Sequence, residues 1–192
     1  MTVLSLRAMT SGDVDAVRAF FERIPEGDRT FFREDVLAPG VIEGWLQSGG
    51  RRVLAHDVDA LHEGGVIVGY LALLPGIGWS SHVGELRLVV DPARRRSGIG
   101  RALARHAVVD AVELGLSKLV VEVVAEQEAT VAMFAALGFE AEGLLRDHVR
   151  SRTGDHTGDR TGEEHDLLIL SHFVDELSTS MSSVGIDDAV TP

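Results

Sequence analysis

At 192 residues the chain suits one folded domain with a sizeable core, and two complete domains would be cramped. A formal charge of −12 argues against a nucleic-acid binder of the usual basic kind, and zero Cys excludes disulfides, thiolate metal sites and a cysteine-acyl intermediate. No basic stretch followed by an apolar core opens the chain, and apolar runs such as Val66 to Leu74 are too short to span a bilayer, so a cytoplasmic protein without membrane contact is expected.

Val3 to Ala8 alternates as a strand does. Thr10, Ser11 and Asp13 then offer helix-start residues, and Val14, Val17, Phe20 and Phe21 share one helical face. A poorer helical stretch is predicted from about Phe31 to Leu46, broken at Pro39 and Gly40. Arg51 to Val58 and Gly65 to Leu74 read as strands joined through Glu63-Gly64-Gly65. Glu85 to Val90 is a strand that stops at Asp91-Pro92, because proline restricts its predecessor and cannot donate to the ladder.

From Gly98 the apolar period lengthens. Ile99, Leu103, Ala107 and Ala111 form a helical face that ends at Leu114-Gly115. Lys118 to Val124 is a β-branched strand of the kind buried on both faces. Glu126 to Leu137 is a short helix closed by Gly138. Phe139 to Val149 and His165 to Ser171 read as a long hairpin, its tip a repeated Thr-Gly-Asp/Glu unit whose spacing fails for a calcium loop. Residues 178–192 are polar and acidic, so a frayed tail is expected after a single domain over residues 1–177.

The segment VVDPARRRSGIG, Val89 to Gly100, carries the chemistry. Glycines let the backbone turn tightly and approach a ligand, and the following helix leaves its first N–H groups unpaired. Those donors and the helix dipole make an anion site beside Arg94, Arg95 and Arg96. The dipole alone contributes roughly 0.3–2 kcal/mol, so several N–H bonds and an arginine must act together, and a pyrophosphate is the natural guest. The pattern is not a Walker loop, and Leu103 stands where a dinucleotide fingerprint needs its third glycine.

The stretch from Val89 to Gly115 closely resembles the acyl-CoA-binding motif of the GNAT superfamily of N-acyltransferases, with Arg95, Gly98 and Gly100 at the signature positions. Leu137-Gly138-Phe139, after a strand and a helix, resembles that family's next block. The resemblance implies an α/β (α+β) fold: a mixed, mostly antiparallel sheet with a splayed parallel strand pair and helices on both faces. It implies that the pantetheine of acetyl-CoA, or another acyl-CoA, pairs with backbone near Leu88, Val89 and Val90. The pyrophosphate would rest on Arg95, Arg96, Ser97, Gly98, Ile99, Gly100 and Arg101, with Gln127 and Phe134 also at the cofactor. An N–H near Val90 would polarise the thioester carbonyl. The acceptor would be a primary amine on a small molecule or a protein, with no metal required, and homodimers are common in the family.

Deprotonating a lysine-like amine at pH 7 costs about 4–5 kcal/mol, against about 1–1.5 for an α-amino group, so a general base is valuable. Glu85 and Glu122 both lie on the strands flanking the expected wedge, and the sequence does not choose between them. Many family members place a Tyr where this chain has Phe134, which has no proton for the leaving thiolate. Gln127 replaces a usual Asn. Tyr70 is expected in the core, and His82, His148 and His165 are read as structural. Two alternatives stand beside the enzyme: a non-catalytic acyl-CoA-binding or regulatory module, for which Phe134 speaks, and a generic α/β nucleotide-binding domain, which would require repeated βαβ units.

Overall fold

The computed structural model describes residues 4–29, 32, 34–58, 65–151 and 162–174. Among these, seven strands form one sheet in the order β1-β2-β3-β4-β5-β7-β6. They are β1 (Leu4–Ala8), β2 (Arg51–Asp57), β3 (Val66–Pro75), β4 (Val83–Val90), β5 (Lys118–Val124), β6 (Glu140–Arg150) and β7 (Glu164–Phe173). Every neighbouring pair is antiparallel except β4 and β5. The repeated βαβ units of a nucleotide-binding domain are absent from the described residues, since β2, β3 and β4 follow one another as antiparallel neighbours.

Helices pack on both faces because alternate strand residues are apolar on both. On one face α1 (Val14–Arg23) and α3 (Val41–Trp45) bury Val17, Phe20, Phe21, Ile42 and Trp45 against Leu54, Ile67, Tyr70 and Val89. Phe21 meets Phe20, Phe32, Trp45 and Tyr70 edge-on, at centroid distances of 5.2–5.6 Å. Tyr70 is 2% exposed, a core residue as expected, and burial raises its phenol pKa far above the ordinary value. On the other face α4 (Ile99–Glu113) lays Ile99, Leu103, Ala104, Ala107 and Ala111 over β2 to β5. Burying each large apolar side chain of this kind contributes about 1.5–3 kcal/mol.

The seating of α4 depends on Gly69 in β3. A Cβ there would lie 2.9 Å from Leu103 Cδ1 and 3.0 Å from Ile99 Cγ2, so the first turn of α4 rests directly on bare backbone. That contact places the helix N-terminus at the end of β4.

Several sequence expectations change. The helix expected from Phe31 to Leu46 is reduced to α3, with the four-residue α2 (Glu26–Arg29) before it; Gly40 takes a left-handed φ of +81° at the start of α3. The helix expected from Glu126 is α5 (Glu128–Ala135). Strand β5 is not buried on both faces: Leu119, Val121 and Val123 are buried beneath α4 and α5, whereas Glu122 is exposed. The hairpin tip at 152–161 and the tail at 178–192 lie outside the described residues.

Candidate active site

Strands β4 and β5 pair only from Val83↔Lys118 to Leu86↔Val121, although both continue beyond that point. A cleft of about 1100 Å³ occupies the gap. Leu86 to Val90 form one wall, Val121 to Val124 the other, and Met133 and Phe134 of α5 lie along it. The N–H of Asp91 donates to the Val68 carbonyl at 2.9 Å. By antiparallel alternation, Val89 then turns its polar backbone toward β3, while Leu88 and Val90 turn theirs toward the cleft, where β5 has diverged. The open wall of β4 is therefore a row of hydrogen-bonding backbone aimed into an apolar slot.

The cleft ends at the start of α4. The first intrahelical bond there runs from the Ala102 N–H to the Gly98 carbonyl, at 2.9 Å. The N–H groups of Ile99, Gly100 and Arg101 therefore have no intrahelical acceptor. Gly98 has φ +86° and Arg96 has φ +62°, so the chain reverses twice and its amides line a concave turn. Only glycine takes this conformation freely; at Arg96 it costs about 1–2 kcal/mol.

The three consecutive arginines have different partners. Arg94 Nη2 lies 2.7 Å from Asp57 Oδ2, and Arg95 Nη2 lies 2.6 Å from Asp28 Oδ2. Arg96 and Arg101 make no ion pair among the described residues, and both line the cleft. Ser97 does not line it; its hydroxyl donates to the Arg94 carbonyl at 2.5 Å and braces the turn. Leu88, Val89, Val90, Arg95, Arg96, Gly98, Ile99, Gly100, Arg101, Gln127 and Phe134 all border the cleft.

The two candidate bases are placed differently. Glu122 is exposed and lines the cleft. Glu85 pairs in register with Val120, behind the point of divergence, and opens onto a smaller hollow of about 290 Å³ that Glu122 also reaches. Its Oε1 accepts from Arg87 Nε at 2.7 Å. Arg87 also lies 3.8 Å from Glu34, which accepts from Trp45 Nε1 at 2.9 Å. Phe134 is 1% exposed and packs edge-on to Phe139 at 5.0 Å, leaving no proton donor at that position. His148 lines the cleft, His82 lies at an exposed turn, and His165 Nδ1 sits 3.5 Å from Glu126.

Sequence reasoning missed the acidic side of the cleft. Asp28, Glu34 and Asp35 border it from the segment after α1, and Glu126 and Glu128 border it near α5. The cleft thus carries arginines at the α4 end and carboxylates along its other borders, where Arg87 and Arg150 also lie, with Asp28 paired to Arg95. No local motif marks these carboxylates, because folding brings them from segments distant in sequence.

A mixed sheet that splays beside a glycine turn and a helix N-terminus defines a class, and the sequence agrees with it. The profile of the Acetyltransferase (GNAT) family matches residues 17–139, and the chain belongs to that family. The [Ribosomal protein bS18]-alanine N-acetyltransferase of Escherichia coli (strain K12) is 33% identical over 67 residues, 35% of this chain and 45% of that protein. The chain thus matches less than half the length of that curated relative. Among solved structures, ribosomal-protein-alanine N-acetyltransferase from Brucella melitensis superposes with a TM-score of 0.69 at 22% identity, covering 88% of this chain and 99% of the other. Spermidine N-acetyltransferase from Vibrio cholerae, in complex with CoA and spermine, gives 0.70 at 18% identity, covering 89% and 95%. These two superpositions establish the fold.

Proposed function

We propose that the chain is an acetyl-CoA-dependent N-acetyltransferase that acts on a primary amine. The observation that carries this reading is the divergence of β4 and β5 after Leu86 and Val121, into a cleft ending on the unpaired amides of α4. Its length and lining suit a molecule with an anionic end and a long, amide-bearing arm. The pyrophosphate would lie on the N–H groups of Ile99, Gly100 and Arg101 with Arg96 beside it. The arm would run along Leu88 and Val90, and Gln127 and Phe134 would border it. The relative named for alanine acetylation and the CoA-bound spermidine enzyme support an amine acceptor.

In this reading Glu122 is the general base, because it is the exposed carboxylate on the wall of the cleft. It takes a proton from the ammonium group, directly or through water. The freed nitrogen attacks the thioester carbonyl, the C–N bond forms, and the C–S bond breaks. The Val90 N–H stabilises the developing oxyanion. The attacking nitrogen sheds its second proton to water as it becomes an amide, and water protonates the departing thiolate, which a thiol pKa of about 8.5 makes a good leaving group without a tyrosine. Glu85 keeps its bond to Arg87 and shapes the hollow behind the reacting centre. Asp35, Glu126 and Glu128 at the border would attract a cationic amine, carried by a small molecule or by a protein. The same reading carries a single catalytic domain over residues 1–177 and a cytoplasmic setting.

Acetyl-CoA turnover with a panel of amines, followed by thiol release, tests it. Amine-dependent release supports the enzyme. CoA binding without release for any amine favours the non-catalytic module, and absence of CoA binding removes both.

A further inference from the structure

Resting on the acyl-CoA reading above, we infer that Asp57 is a positioning residue for the phosphate-binding turn and acts through Arg94. Asp57 is the last residue of β2, and it does not border the cleft. It is 3% exposed, and its Oδ2 lies 2.7 Å from Arg94 Nη2. A buried carboxylate is tolerated when paired, so the pair ties the turn to the sheet. A register shift between Ala55 and His56 bends β2 just before Asp57, the kind of irregularity that re-aims a side chain.

The consequences fall on Arg96. Arg94 closes a short 3-10 turn at Pro92–Arg94, and Arg96 follows two residues later in a left-handed conformation. A non-glycine residue stays there only when its surroundings hold it. Asp91 secures the start of the same segment: its Oδ1 accepts from the Ala93 N–H at 2.9 Å, and Arg23 lies 3.4 Å from its Oδ2. Asp57 secures the middle. Arg94 also borders the cleft, but its guanidinium is paired with Asp57, whereas Arg96 and Arg101 have no ion pair among the described residues.

Calorimetric CoA affinity and steady-state kinetics test this on the full chain. Asp57→Asn should weaken CoA binding at least 10-fold and raise KM for acetyl-CoA, with kcat and the amine KM within about 2-fold of wild type. Arg94→Gln should match it, Arg94→Lys should recover most of the affinity, and the double variant should be no weaker than either single one. Asp15→Asn, an exposed carboxylate on α1, should change nothing. Hydrogen exchange on the ligand-free protein should quicken at residues 92–98 in Asp57→Asn while β3 stays protected. Wild-type CoA affinity in Asp57→Asn, or losses that add in the double variant, would overturn the inference. Should the wild type bind no CoA, the acyl-CoA reading fails on that measurement alone. Unchanged exchange at residues 92–98 in Asp57→Asn overturns the positioning role separately. Should Asp57→Asn not fold, Arg94→Gln and Arg94→Lys carry the same comparison.

Discussion

Leu86 and Val121 are the last partners that β4 and β5 share, and the cleft begins immediately beyond them. Parallel strands that stayed paired would satisfy one another's backbone and leave no slot. Their separation leaves the polar backbone of Leu88 and Val90 to a ligand. The following expectations depend on this geometry.

Gly100 should not tolerate a side chain. A Cβ there would sit 3.2 Å from Met133 Sδ, with Val90 and Leu88 next nearest, so anything longer would extend among residues that line the cleft. Gly100→Leu is expected to weaken CoA binding by at least 100-fold in calorimetry. Gly98 has open space around it, so Gly98→Ala should act through its φ of +86° instead, at about 1–2 kcal/mol of stability.

Glu122→Gln should lower kcat by about 10²–10⁴-fold with little change in CoA affinity, the signature of a lost general base. Glu85→Gln should change kcat less than 10-fold, since Glu85 lies behind the divergence and already accepts from Arg87. The opposite order of effects would reverse the assignment of the base.

Arg96→Ala and Arg101→Ala should each weaken CoA binding by roughly 5–30-fold, as loss of one charge-assisted contact of about 1–2 kcal/mol would. Titrations at 50 and 500 mM salt should show a smaller salt dependence in each variant than in the wild type.

Asp13 should govern acid stability. Its carboxylate accepts from Arg7 Nη1 at 2.8 Å and from the N–H and hydroxyl of Thr10 at 2.8 and 2.7 Å. The Arg7 hydrogen bond, helped by Thr10 and opposed by burial, holds its folded pKa well below the ordinary carboxylate range. The stability it confers is therefore complete above its unfolded pKa of about 3.9 and declines as pH falls below that value. Asp13→Asn should cost about 1–2 kcal/mol at pH 7 by urea unfolding, and the gap to wild type should narrow by pH 2–3.

What the sequence alone determined is local. The Asp91-Pro92 stop, the left-handed glycine at 98 and the apolar stripe from Ile99 to Ala111 are properties of neighbouring residues, so strand, turn and helix were legible in order. The two motif blocks at their spacing also brought the family within reach. Tertiary structure decided what distant segments do to one another. Residues 31–46 carry weak helical periodicity, and within 34–46 Glu34 is held by Trp45 and Arg87 rather than by helical propensity. The flank of β5 that holds Glu122 opens on the cleft, so a glutamate among valines is exposed, which no periodicity reveals. Three adjacent arginines look equivalent in the chain. Only the fold gives Arg94 to Asp57 and Arg95 to Asp28, and leaves Arg96 without an ion pair among the described residues, because an ion pair depends on a partner's position in space.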